Sequence, residues 1–210
     1  MNKLTFTISA AAVGSLIATG TASADFQSID LDEVENGMAG LTTYRVYAAI
    51  DAGGEVDAVY GDSDNVLSIQ SSTSFYQNTF GDHGAPSASW LALVPSIEFD
   101  SFVTIGRLSD DGTDAMMDIG IDWTDFNAGG AIYTDNGTWF ATPDEPQVQE
   151  VGGRVIIGQF TTDGDLTGCM SLQGKNADLT NWNALSVCLP APGAIALLGV
   201  AGVASRRRRT

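Results

Sequence analysis

Residues 25–189 are predicted to fold as an all-β domain, an antiparallel β-sandwich or jelly roll, and three observations predict it. Short runs of alternating or continuous apolar residues recur along the whole stretch, and clusters of Gly, Asp and Asn separate them. The chain's nine Phe, four Trp and five Tyr interleave with the aliphatic runs, which argues for a packed core rather than disorder. Only residues 29–38, with Ile29 and Met38 at their ends, offer a weak helical period. From 42 to 50 the chain alternates, with Tyr44, Val46, Ala48 and Ile50 on one face of a half-buried strand. A second strand at 56–60 follows across the turn residues Asp51 to Gly54, and the two read as a hairpin. Further strands are expected at 66–71, 90–94, 99–105, 115–123, 131–133, 139–141, 154–161, 167–173 and 184–189. The separators carry turn chemistry, as at Asp62-Ser63-Asp64-Asn65, Asp110-Asp111-Gly112, Gly129-Gly130 and Asp163-Gly164-Asp165. Asn136-Gly137, between Ile132-Tyr133 and Trp139-Phe140, is the strongest hairpin cue. No internal repeat or linker divides the stretch.

The two ends read as sorting segments and stand apart from the fold. At the start, Lys3 supplies a positive charge, residues 4–17 an apolar stretch, and Ala22-Ser23-Ala24 a small-residue cleavage site, so residues 1–24 read as a signal peptide. At the other end, residues 190–210 hold Pro190-Ala191-Pro192, then an apolar run over 193–204, then Ser205 and Arg206, Arg207, Arg208 and Arg209. As a helix the apolar run would rise about 18 Å, and residues 189–205 about 26 Å, short of a hydrocarbon core of about 30 Å. Such a segment spans with bilayer thinning or snorkelling arginines, which hold its end in the cytoplasm and leave everything before it outside.

This tail, roughly a tenth of the chain, resembles a PEP-CTERM sorting signal. In that family of Gram-negative bacterial exported proteins, a Pro-Glu-Pro motif precedes a short transmembrane helix and an Arg-rich end. Pro190 and Pro192 match the two prolines, while Ala191 stands where the family usually has Glu. The resemblance implies cleavage near the motif by an exosortase-type membrane enzyme, and a destination at the cell surface or in the extracellular polysaccharide matrix. The body is similar, through Tyr44-Arg45-Val46-Tyr47, Phe75-Tyr76-Gln77, residues 99–106 and Gly158-Gln159-Phe160, to uncharacterised β domains of such exported proteins. That second likeness brings no functional residue with it.

Charge narrows the partners. All 26 acidic residues lie between Asp25 and Asp178, against four basic ones, Arg45, Arg107, Arg154 and Lys175, so the body carries a net charge of −22. A surface of that sign repels nucleic acid and anionic lipid and attracts cations. Cys169 and Cys188, the only cysteines, read as a disulfide in an oxidising compartment.

Residues that carry chemistry are few. His83 is the only histidine, in the polar turn Phe80-Gly81-Asp82-His83-Gly84, and reads as a surface loop residue. Glu98 and Asp100 flank Phe99 and would share one strand face about 7 Å apart, with Glu98 the carboxyl to test as a raised-pKa acid. Asp62 and Asp64, Asp110, Asp111 and Asp114, and Asp163 and Asp165 place hard oxygen donors in tight turns, the chemistry calcium takes, although none completes an EF-hand loop. Trp123 and Trp182 lie among polar neighbours and read as exposed platforms for sugar rings, whereas Trp90 and Trp139 read as core. The chain is therefore expected to be a non-enzymatic exported protein with a structural or polysaccharide-associated role. A calcium-dependent carbohydrate-binding module and a secreted glycan hydrolase are the alternatives.

Overall fold

The computed structural model describes residues 26–190, and they form an all-β, sandwich-like fold of two antiparallel sheets. The signal-peptide reading of residues 1–24 falls outside the described residues, as do Ala191, Pro192 and the four arginines of the tail.

The first sheet is built from long alternating strands. β1 (Phe26–Val34), β2 (Thr42–Ile50), β9 (Arg154–Thr162) and the two-residue β5 (Phe102–Val103) lie in the order β1-β2-β9-β5. Val46, Ala48 and Ile50 are buried, as their period of two predicts. The segment expected to be helical at 29–38 is instead β1. Ile29 and Leu31 face the core, and the polar residues between them turn outward, where Asp32 pairs with Arg154 at 2.7 Å. Pairing along the whole of β2 overrides a weak helical period.

The second sheet is less regular. It holds β3 (Glu55–Gly61), β4 (Leu67–Ser71), β6 (Met117–Ile119), β7 (Ile132–Thr134), β8 (Gly137–Phe140), β10 (Leu166–Lys175) and β11 (Asn181–Cys188). β11 occupies one edge of β10, pairing Cys169 with Cys188 and residues 172–175 with 181–184, so β3 and β4 both lie along the other edge. They are two halves of one row, interrupted by residues 62–66. β7 and β8 form the next row in the same way, with Leu67 opposite Thr134 and Gly61 opposite Gly137. Asn136-Gly137 is therefore not a hairpin turn. The chain runs straight on through it, and β7 and β8 are not paired with each other. Gly61 is required at this double interruption, since a Cβ there would lie 2.4 Å from the Thr134 carbonyl and 2.5 Å from the Leu67 nitrogen.

One core joins the sheets. Val46, Ile50 and Ile157 from the first meet Val59, Leu67, Ile132, Trp139 and Leu172 from the second. Trp139 is fully buried and donates its indole N–H to the Thr104 carbonyl at 3.2 Å, which satisfies the one polar atom it takes inside. Cys169 and Cys188 form the expected disulfide across β10 and β11, closing a loop of 19 residues. In the chain-entropy view that cross-link stabilises the fold by about 3 kcal/mol.

Three expected strands shrink or vanish. Residues 90–94 begin inside a short helix, α1 (Ala88–Leu91), and Pro95–Phe99 is a 3-10 turn with proline at its start. Of 99–105 only β5 is strand, and of 115–123 only β6, after which the chain enters α2 (Thr124–Asn127). Buried Gln159 holds the 3-10 turn to the first sheet by donating to the carbonyls of Glu98 at 2.8 Å and Asp100 at 3.0 Å.

Candidate functional site

The outer face of the second sheet carries an open groove of about 790 Å³. Its floor follows from register. Gln173, Ala58, Phe140 and Met117 stand in one cross-strand row, and Ser171, Tyr60, Thr138 and Ile119 in the next. The opposite face of the same strands points Leu172, Val59 and Trp139 into the core. Thr142 and Pro143 close one end of the groove, and Gly61, Asp62, Gly120 and Asn136 close the other, where the strand rows break.

A β-bulge adds a carboxyl to this floor. Gln173 pairs with Ala58 but Gly174 pairs with Val56, so Asp57 is the extra residue of β3. Val56 and Val59 are both fully buried, and the two residues between them, Asp57 and Ala58, both line the groove. The bulge is tight: a Cβ at Gly174 would fall 1.9 Å from the Glu55 carbonyl and 2.6 Å from the Trp182 ring.

Asp57 is 8% exposed, and its Oδ1 has no hydrogen-bond partner among the described residues. Burial, and then the charge of Glu55, push its pKa up to about 6, with Lys175 opposing the shift. Glu55, also buried, accepts a hydrogen bond from Gln149 Nε2 at 2.5 Å and faces the Lys175 ammonium at 3.6 Å. Tyr60, half-buried, lines the groove, and burial followed by the nearby Asp62 charge raises its hydroxyl pKa. The arrangement offers one buried unpaired carboxyl beside a neutralised one, two aromatic surfaces in Tyr60 and Phe140, and amide groups at Gln173 and Asn136. Such a lining offers apolar surface and hydrogen-bonding groups side by side.

The residues expected from sequence to form the site lie elsewhere. Trp123 and Trp182 are 9% and 5% exposed, so neither is a platform for a sugar. Trp123 stacks on His83 at 4.5 Å and donates its indole N–H to Asp118 Oδ1 at 2.9 Å; Trp182 packs on Phe26 at 6.1 Å. Their polar neighbours in sequence point away from the rings. Trp90, expected in the core, is 39% exposed and stacks on exposed Phe80 at 4.9 Å. His83 is more than a loose surface residue, for its two ring nitrogens face Asp82 at 2.9 Å and Asp118 at 3.3 Å.

Glu98 and Asp100 do not share a strand face. Glu98 is exposed on the 3-10 turn, whereas Asp100 is 1% exposed and accepts the Asn78 N–H at 2.6 Å. The carboxyl that burial pushes up, to about 7, is thus Asp100.

At Asp62, Asp110, Asp111 and Asp114 the carboxyls accept from the backbones of their own turns. Asp62 Oδ1 accepts from the N–H groups of Asp64 and Asn65, Asp110 Oδ1 from those of Gly112 and Asp114, and Asp111 Oδ1 from that of Thr113 while it pairs with Arg107. Asp114 accepts from the Met116 N–H and Gln147, and Asp163 from the Thr73 hydroxyl; at Asp165 the backbone N–H donates to Ser72. Among the described residues no group of three or more His, Cys, Asp or Glu side chains could hold a metal ion, so the calcium ligands expected in these turns are not brought together.

The Glu55-Val56-Asp57 pair went unread in the sequence because ordinary alternation does not place its members beside an open floor; the bulge does. Comparison with family models, with characterised proteins and with solved structures finds no match to this chain.

Proposed function

We propose that this is an exported, exosortase-sorted protein of the bacterial surface or matrix, and that its body binds polysaccharide through the groove on the second sheet. The observation that carries the binding reading is the groove itself, open, about 790 Å³, floored by Tyr60 and Phe140 and rimmed by hydrogen-bonding groups. Aromatic faces cover the apolar side of a sugar ring while amides and carboxyls take its hydroxyls. The disulfide supports an oxidising destination, and the Pro190-Ala191-Pro192 and arginine tail supports the sorting route. The exposed Phe80–Trp90 pair adds a second surface of the same chemistry. The role assigned to the groove in this reading is recognition.

The test is retention of the full-length protein on the producing cells' own polysaccharide. Wild type is expected to bind saturably, with calcium or with EDTA alike, and Tyr60→Ala to weaken binding by about tenfold or more. Undiminished binding by Tyr60→Ala removes the groove from the reading. Protein recovered from the cell surface with residues 193–209 intact removes the sorting route.

A further inference from the structure

Charge in the groove is unbalanced, and the imbalance has a direction. Glu55 is matched by Lys175, 3.6 Å away, and carries the Gln149 hydrogen bond as well. Asp57, one bulge further along, has neither. The residue is 8% exposed, its Oδ1 has no hydrogen-bond donor among the described residues, and it lies beside the Glu55 carboxyl while lining the groove. Asp62 adds a further negative charge at the end of the groove, and no Arg or Lys is among the lining residues. A buried polar atom without a partner destabilises the fold, more so when charged, and an incoming ligand that satisfies it recovers that cost.

From these positions we propose that the groove takes a polysaccharide carrying free amino groups, with one ammonium seated on Asp57. The inference rests on the polysaccharide reading of the groove and narrows it. A sugar hydroxyl would satisfy Oδ1 but leave the Glu55 charge pressing on Asp57; an ammonium satisfies the oxygen and offsets that repulsion. The raised pKa of Asp57 reflects the same two costs, burial and the Glu55 charge, that a bound cation offsets. At longer range, 26 acidic residues against four basic ones over residues 25–189 draw a cationic polymer and repel an anionic one.

The probes are a glucosamine oligomer and its fully N-acetylated counterpart, which share a backbone and differ in charge, titrated onto the full-length protein. The amino oligomer is expected to bind about tenfold or more tighter. Asp57→Asn, which keeps shape and removes the charge, should erase that preference. Asp30→Asn, the same charge change on β1 of the other sheet, should preserve it. Equal binding of the two oligomers overturns the amino-group inference and leaves the polysaccharide reading in place. So does equal loss in Asp30→Asn and Asp57→Asn, which would mean diffuse attraction to an acidic surface. Binding of the native polysaccharide with neither oligomer retained also overturns the inference alone. Failure to bind any of the three removes both readings.

Discussion

Asp62 and Asp57 stand five residues apart on the same row of the second sheet, and their carboxyls meet opposite fates. Asp62 is ringed by the N–H groups of its own turn, which lower its pKa, backbone hydrogen bonds first. Asp111, Asp122 and Asp178 repeat that pattern, with the side-chain and backbone donors of Thr113, Thr124 and Thr180. Asp57 and Asp100 are buried instead, and burial raises both. In a chain with 20 Asp, the count of acids therefore says little about function. Partnering and burial sort them: a carboxyl filled by its own loop shapes a turn, and a buried one is pushed toward holding its proton.

That contrast breaks most readily with pH. A carboxyl whose folded pKa exceeds its unfolded one keeps its proton longer in the fold. Its stabilisation is fully present below about pH 3.8 and is lost as the pH climbs through about 6 for Asp57 and about 7 for Asp100. The Asp57 part amounts to something on the order of 3 kcal/mol, and the Asp100 part to something on the order of 4 kcal/mol. Urea unfolding at pH 4 and at pH 7.5 should show this decline, and the double variant Asp57→Asn, Asp100→Asn should flatten it. An unchanged slope in the double variant would mean that the two groups titrate as exposed carboxyls do.

The tryptophans sharpen the same distinction. Trp123→Ala should cost about 3–5 kcal/mol, because a buried ring leaves a cavity and strips Asp118 and His83 of their contact. Trp90→Ala should leave stability nearly unchanged, and thermal melts of the two variants separate the cases. The smallest effect is expected at the turns: Asp62→Ala should lower the melting temperature slightly. Added calcium or EDTA should not move the wild-type melt. A calcium-dependent rise that Asp62→Ala abolishes would show that its turn has a ligand besides its own backbone.

β2 was legible because period two and burial agree along most of its length, and β9 because its mainly apolar run is buried on both faces. The turn chemistry was legible too, since each Asx side chain acts within its own few residues. What escaped the sequence was non-local. Asn136-Gly137 carries hairpin residues, yet its flanking strands continue straight because each pairs with half of an interrupted neighbour. Trp123 has polar neighbours along the chain and apolar ones in space. Glu98 and Asp100 were expected on one face, but Pro95 starts a 3-10 turn that separates them. The groove depends on a one-residue bulge, and a bulge belongs to two strands rather than to either sequence.

The bond between Cys169 and Cys188 also decides how the protein would bear a load. Cys188 is two residues from Pro190, so tension arriving from the C-terminal side meets the sulfur link almost at once. It passes across to Cys169 in β10, a row flanked on both sides by paired strands, instead of peeling β11 from the edge one hydrogen bond at a time. An edge strand that would act as a zipper becomes a shackle, and the rows of the groove's sheet must give way together or not at all.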